Sequence, residues 1–239
     1  MLVLVSMLAV LCADPARAQS VTVRGFVTLV NRGRPDTTKS DNSNAVVWLT
    51  PAVVSSNRDN EVQGHVPRLR SRLVQRHKRF EPHVLVIPVG SVVDFPNLDP
   101  FFHNVFSLFE GKRFDLGLYE AGTTHSVTFD RPGVCYIFCN IHPEMSAVVV
   151  VLKTPYYGIS DRAGKIAIAS VPPGRYFMSV WHERCSPEAL KNFPREVTIS
   201  AIEASIGTIY LRASDDLLTF HKNKYGRDYD KPNPPTSLY

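Results

Sequence analysis

The segment Cys139-Asn140-Ile141-His142-Pro143-Glu144-Met145 places a thiol, an imidazole and a thioether within seven residues, and a second imidazole, His103, lies upstream. Two imidazoles and one thiolate in a trigonal plane, with a weak axial thioether, make a blue-copper site. Soft sulfur ligands suit Cu(I) and imidazole nitrogens suit Cu(II), so the compromise lets the metal change oxidation state with little rearrangement. Such a site needs three ligands from one short loop at a strand end and a fourth from a neighbouring strand. Taken singly, each residue is ordinary: a buried Cys, a surface His, a core Met. Together, C-x2-H-x2-M behind a strand-like run, with His103-Asn104 upstream, is a specific pattern.

The elements that must position these residues read as β-strands. Val21 to Val27, Ser126 to Phe129 and Lys165 to Ala169 largely alternate apolar and polar residues. Ala45 to Leu49 and Val84 to Ile87 are short continuous apolar runs, as expected of strands buried on both faces. Pro88-Val89-Gly90, Pro132-Gly133 and Pro172-Pro173-Gly174 punctuate the runs, which favours sandwiches or barrels over a parallel sheet. The sequence predicts one brief interior helix, with Ser186 as N-cap, Pro187 at the first position and Glu188-Ala189-Leu190 following.

Gly133 to Met145 resembles the last strand and ligand loop of the cupredoxins, with the C-x2-H-x2-M spacing of amicyanin rather than the longer loops of plastocyanin or azurin. Val89-Gly90-Ser91-Val92-Val93-Asp94-Phe95-Pro96-Asn97 is similar to that family's "VGxxVxFxN" hairpin, and His103-Asn104-Val105 to its first-ligand "HNV". The resemblance spans residues 71–153. It implies one type 1 copper held by His103, Cys139, His142 and Met145, and it makes Asn104 the residue whose side chain ties the two ligand loops together.

Cys135 introduces a rival, because Cys-x3-Cys followed by His and Met is similar to the binuclear copper centre of cytochrome oxidases. Four residues of extended strand put Cys135 roughly 13 Å from Cys139, and the oxidase loop has one more residue between its second Cys and the His. Cys135 is therefore read as a core residue, in preference to a partner for Cys185. A multicopper oxidase or nitrite reductase needs further histidines. The eight histidines here include no His-x-His pair, and Cys139 is flanked by Phe138 and Asn140, so no catalytic copper and no enzyme activity are expected. His65, His77 and His182 are read as surface or structural residues.

A second resemblance lies around the first. Ser160 to Ile166 and Val171-Pro172-Pro173-Gly174-Arg175-Tyr176 resemble the "TDxxGxF…(L/V)PPGxY" signature of carboxypeptidase-regulatory, transthyretin-like domains. The strands that normally precede that signature have counterparts far upstream, at Gly25-Phe26-Val27 and Val46-Val47-Trp48-Leu49. The expected fold class is all-β: a cupredoxin Greek-key sandwich inserted into a transthyretin-like sandwich. The expected organisation is a signal peptide at 1–18, transthyretin-like strands at 20–52, a linker at 53–70, the cupredoxin at 71–153, the rest of the transthyretin-like domain at 154–212, and an extended surface arm at 213–239. The alternative keeps the N-terminal segment as an extra strand on the cupredoxin sheet. The combination resembles bacterial plastocyanin-like and methylamine-utilisation proteins.

Composition bounds the remaining possibilities. With 239 residues, 44% hydrophobic and 21% charged, the chain can bury one or two cores and is not a disordered segment. A net charge of +5 is far from the dense cationic surface of a nucleic-acid binder. The run Arg68, Arg70, Arg72, Arg76, Lys78 and Arg79 reads as an edge-protecting strand or as a docking surface for an acidic partner. No apolar run reaches the ~18–20 residues of a transmembrane helix. Leu2 to Leu11 followed by Ala16-Arg17-Ala18 reads as a secretory signal without a positively charged start, in preference to a lipobox at Cys12 or a buried strand. Its removal takes one acidic and one basic residue and leaves Cys135, Cys139 and Cys185 in an oxidising compartment. The expected protein is a periplasmic or secreted one-electron carrier with a redox partner protein. The alternative is a copper-storage or structural surface module.

Overall fold

A computed structural model describes residues 20–31, 41–52, 69–108, 111–202, 204–214 and 222–229. Residues 1–18, read above as a signal, residues 53–68 of the expected linker with His65 and Arg68, and much of the C-terminal arm lie outside them. The chain is all-β, with one helical turn among the described residues. In order it runs through β1 (Val21–Asn31), β2 (Val46–Pro51), β3 (Arg70–Arg72), β4 (Val74–Arg76), β5 (Arg79–Glu81), β6 (Val84–Pro88), β7 (Ser91–Pro96) and β8 (His103–Ser107). It continues through β9 (Phe114–Tyr119), β10 (Thr124–Phe129), β11 (Gly133–Phe138), β12 (Ser146–Leu152), β13 (Tyr157–Ile159), β14 (Lys165–Val171) and β15 (Gly174–Trp181). The helical turn α1 (Pro187–Leu190), β16 (Arg195–Ile199) and β17 (Ser205–Ala213) complete it.

The strands form two layered cores. In one, a β14-β1-β17 sheet faces a β13-β2-β15-β16 sheet, and Val23, Val27, Val47, Leu49, Ile168, Met178 and Ile209 fill the space between. The N-terminal strands thus pair with strands that follow residue 154: β1 lies antiparallel to β14 and parallel to β17, while β2 lies antiparallel to β13 and β15. In the other, a β10-β7-β3 sheet faces a β6-β12-β11-β8-β9 sheet, around Phe95, Val105, Phe129, Ile137, Val149 and the buried Cys139 and Met145.

The continuous apolar runs explain how the two cores meet. Period-2 geometry sends alternate side chains to opposite faces of a strand. In β2, Val47 and Leu49 enter the first core while Val46 and Trp48 face outward. In β12, Ala147, Val149 and Val151 enter the second core while Val148, Val150 and Leu152 face outward. These outward faces, with Val84, Val86 and Trp181, form a third apolar cluster between the sandwiches.

Turn chemistry fits the conformation locally. Gly164 has φ +80, and a Cβ there would lie 2.0 Å from the Val27 carbonyl oxygen, so the Asp161–Gly164 turn has room only for glycine. Tyr176 donates its hydroxyl to the Pro172 carbonyl at 2.7 Å, closing the Pro-Pro-Gly turn. Ser186 caps α1 by accepting from the Ala189 amide.

Two sequence expectations are corrected. The sheet begins inside the segment read as linker: the Leu69 amide donates to Ser91 Oγ, and Arg70 forks onto Asp94 at 2.7 and 2.8 Å. A bidentate ion pair on a sheet edge outweighs the polar composition that suggested a linker. The C-terminal arm is also not uniformly extended, because residues 223–227 close on themselves. Asn223 Oδ1 accepts from the Tyr225 and Arg227 amides, and Gly226 takes φ +75. The later prolines dominate the composition of this arm, but an Asn side chain and a glycine suffice to fold its earlier part.

Candidate metal centre

His103 opens β8, and Cys139 follows the last residue of β11. Phe138 pairs with Phe106 across the β8–β11 ladder, which brings the starts of both ligand segments to one end of the second sandwich. Beyond Cys139 the chain turns back. The Met145 amide donates to the His142 carbonyl at 3.0 Å, and the Cys139 amide to the Met145 carbonyl at 3.2 Å. The loop is therefore pinned at both ends before it enters β12.

His103, Cys139 and His142 converge, with one donor atom from each lying within 4.8 Å of the others. Cys139 Sγ is 3.8 Å from His103 Nδ1 and 3.7 Å from His142 Nδ1. Metal–thiolate and metal–imidazole bonds of about 2.3 and 2.0 Å, as for zinc, make such edges subtend about 120° at a central ion. One thiol flanked by two imidazole nitrogens at these separations thus fits a copper ion in donor chemistry and in its two sulfur–nitrogen edges. Met145 is fully buried in the same apolar cluster as Cys139.

The surroundings favour a deprotonated Cys139 thiol and a neutral His142 ring, while burial pushes His103 down but its contacts to Cys139 and Asp99 more than offset it and raise the ring. Burial pushes the Cys139 thiol up, but the His103 ring and the amides of Asn104, Ile141 and His142 more than offset it and hold the thiol below its ordinary range. Burial, reinforced by the charges of His103 and Lys78, lowers His142. Phe101 sits over both imidazoles, with ring centroids 5.2 Å from His103 and 5.8 Å from His142. His103 is wholly buried, whereas His142 is partly exposed beside the exposed Ile141.

Sequence reasoning missed Asp99. Its buried carboxylate accepts from His103 Nε2 at 2.8 Å, fixing the tautomer that leaves Nδ1 facing Cys139. The same carboxylate accepts the amides of His77 at 2.6 Å and Lys78 at 2.9 Å. Those two residues have φ +54 and +55, the left-handed turn of the β4–β5 hairpin. Asp99 is itself held by Asn97, whose Oδ1 accepts the Asp99 amide and whose Nδ2 donates to the Phe101 carbonyl. The available signal was an acidic residue four positions before His103 and two after the Asn that ends the Val89–Asn97 motif.

Asn104 departs from the role the resemblance implies. Its side chain donates to Asp115 Oδ1 at 2.7 Å and to the Gly117 carbonyl at 2.8 Å, tying β8 to β9. The Asn104 contribution toward Cys139 comes from its backbone amide. In the β8–β9 ladder Asn104 lies opposite Leu118, and the register shift that follows brings its side-chain amide within reach of Asp115 and Gly117 of β9.

Cys135 and Cys185 are buried free thiols. Cys135 bonds to Ser107 and to the Lys112 carbonyl and is not in the His103–Cys139–His142 group. His182 is structural, with Nε2 at the Ser43 carbonyl and Nδ1 accepting the Arg184 amide. Among the described residues, no helix is long and apolar enough to cross a membrane.

Comparison with protein-family models and with curated proteins returns no match. Among solved structures, the chain is similar to a purple cupredoxin from Nitrosopumilus maritimus, with 26% identity over 34% of this chain and 99% of that one (TM-score 0.32). It is similar to a single-site mutant of amicyanin in its reduced state, with 22% identity over 38% of this chain and 90% of that one (TM-score 0.34). A third likeness is to a copper-containing nitrite reductase from Thermus scotoductus SA-01, with 22% identity over 52% of this chain but 28% of that one (TM-score 0.34).

Proposed function

We propose that this chain is a type 1 copper protein that carries single electrons, with His103, Cys139 and His142 as equatorial ligands and Met145 as the weak axial one. The observation that carries this reading is the convergence of His103, Cys139 and His142, with sulfur–nitrogen edges of 3.8 and 3.7 Å. Copper bound there supplies a one-electron Cu(I)/Cu(II) couple. The chain's own residues hold the donors in place: Asp99 orients His103, the Cys139–Met145 loop closes on its own backbone, and Phe101 packs against both imidazole rings. The partly exposed His142 gives electrons a short path to the surface. Around it, Leu98, Pro100, Phe101, Phe102 and Ile141 are exposed, an apolar patch suited to brief docking by a redox partner protein.

The same reading assigns residues 20–52 and 154–212 to a transthyretin-like sandwich, with the copper module of 71–153 inserted in it. The pairing of β1 with β14 and β17 supports this. It also places the protein in the periplasm or outside the cell, on the strength of the segment at 1–18, and assigns it no enzymatic role.

The test is titration of the purified protein with Cu(II), followed by visible spectroscopy and voltammetry. A carrier gives an intense thiolate-to-copper band and a reversible midpoint potential. Absence of the band defeats the copper assignment. Copper that binds but is passed to acceptors without reversible voltammetry marks a storage module instead.

A further inference from the structure

Residues 222–229 belong to neither sandwich by sequence, yet they bond to the Cys139–Met145 loop and to Asp115 of β9. Tyr229 donates its hydroxyl to the Cys139 carbonyl at 2.7 Å. The Lys224 amide donates to Asn140 Oδ1 at 2.9 Å, and Lys224 Nζ pairs with Asp115 Oδ2 at 2.8 Å. Asp115 is the residue that accepts from Asn104, next to the ligand His103. A continuous polar path therefore runs from the His103 strand through Asn104, Asp115 and Lys224 to Asn140, beside the ligand Cys139.

The segment is built to hold this position. The Asn223 amide donates to the Arg227 carbonyl and the Gly226 amide to the Asn223 carbonyl, both at 2.9 Å, in addition to the two bonds accepted by Asn223 Oδ1. Lys224 Nζ also lies over the Tyr225 ring, 5.4 Å from its centroid. A turn closed by its own bonds loses less entropy on docking than an extended tail does. The Lys224 and Asp115 side chains are 23% and 40% exposed, so the ion pair is partly screened by solvent and adds modestly to the backbone and hydroxyl contacts.

We infer that the C-terminal segment 222–229 is an intramolecular strap, and that Lys224 and Tyr229 are positioning residues for the cysteine end of the metal loop. It replaces the direct side-chain tie that Asn104 does not make. The inference rests on the copper reading for its effect on redox behaviour, but not for the strap itself. Tyr229 draws electron density from the Cys139 peptide and Lys224 adds a positive charge nearby. Both make the thiolate a poorer donor to Cu(II), so both raise the potential.

The experiment uses the full chain with Tyr229→Phe, Lys224→Ala and Lys224→Arg. Without metal, amide exchange at Cys139 and Met145, whose N–H groups close the loop, should accelerate about fivefold in Tyr229→Phe, as for loss of one hydrogen bond. The thermal midpoint should stay near that of the parent, because neither core is touched. With Cu(II), Tyr229→Phe and Lys224→Ala should shift the charge-transfer band and lower the midpoint potential, and Lys224→Arg should restore the parent values. Parent-like exchange and spectra in both Tyr229→Phe and Lys224→Ala would overturn the strap while leaving the copper assignment intact. Faster loop exchange in Tyr229→Phe, together with a parent chain that takes up no copper, would support the strap and defeat the copper reading.

Discussion

Asp99 and His103 form a buried carboxylate–imidazole pair, with Asp99 Oδ2 2.8 Å from His103 Nε2 and neither side chain more than 5% exposed. The pair joins two otherwise separate features. The basic β4–β5 hairpin takes up its left-handed turn over the Asp99 carboxylate, and the same carboxylate sets the ring that faces Cys139. The edge of the basic run is thereby anchored to the candidate metal centre through one side chain.

Asp99→Asn keeps the shape of this contact and removes its charge. Imidazole bonded to a carboxylate is the stronger donor and favours the oxidised metal, so the variant should have a higher midpoint potential than the parent. Changes to groups that orient a metal-bound histidine weaken metal binding by about 10–100-fold. Competition with a copper chelator measures the affinity and voltammetry the potential. Parent values for both would show that Asp99 serves only the hairpin.

The cysteines separate cleanly by environment. Cys139 faces two imidazoles, whereas Cys135 lies among apolar residues with Ser107 and the Lys112 carbonyl. Cys139→Ser should abolish the visible band of the copper-loaded protein, and Cys135→Ser should retain it. If Cys135→Ser bleaches the protein, the single-copper assignment is wrong.

Met145 is a test of how the loop's far end acts. Its backbone already closes the loop in both directions, through bonds to Cys139 and His142, so the loop does not need the thioether to fold. Met145→Leu should keep copper and colour. Its axial position becomes apolar and drier, which disfavours the more highly charged oxidised state, so the potential should rise; each ~59 mV is a tenfold shift in a one-electron couple. Loss of copper, or a lower potential, would contradict a weak axial role.

The parts of this protein that were legible in its sequence are those written in local pattern. The uninterrupted apolar runs at Ala45–Leu49 and Val84–Ile87 indicated strands with two buried faces, and those strands do line the cluster between the sandwiches. Ser186 and Pro187 marked the one helical turn. Cys139 and His142, three residues apart, were visible as a pair for the same reason. What escaped depends on contacts between distant segments. Asp99 looks like any loop acid until the hairpin at His77 and Lys78 is folded against it. Asn104 was given the wrong neighbour because its partner, Asp115, is set by the β8–β9 register. Lys224 and Tyr229 lie 84 and 90 residues from the groups they bond, beyond the reach of any periodicity.

One ion pair, between His83 and Glu183, reaches from one sandwich to the other. His83, just before β6, donates to Glu183 Oε2 at 2.7 Å, and its other ring nitrogen meets the Ser146 carbonyl, at the start of β12. The hydrogen bond to Glu183 raises His83 above its ordinary 6.5, in spite of burial. Burial pushes Glu183 up, but the His83 bond and the charges of His83, His182 and Arg184 bring it below its ordinary 4.5. A raised histidine stabilises the fold fully below 6.5, and the contribution is lost as pH rises through its folded value. A lowered glutamate stabilises above 4.5, and the contribution is lost as pH falls through its folded value. The ion pair is therefore at full strength between pH 4.5 and 6.5. His83 is 37% exposed, so solvent screening limits the charge contribution to about 1 kcal/mol. Glu183→Gln preserves an acceptor for His83 but removes the charge. Its thermal midpoint should fall below the parent's by about 2–4 °C inside that window, and the gap should narrow toward alkaline pH and again toward strong acid. A gap that is constant from pH 4 to 8 would show that the contact acts as a neutral hydrogen bond and that its charge does not link the two sandwiches.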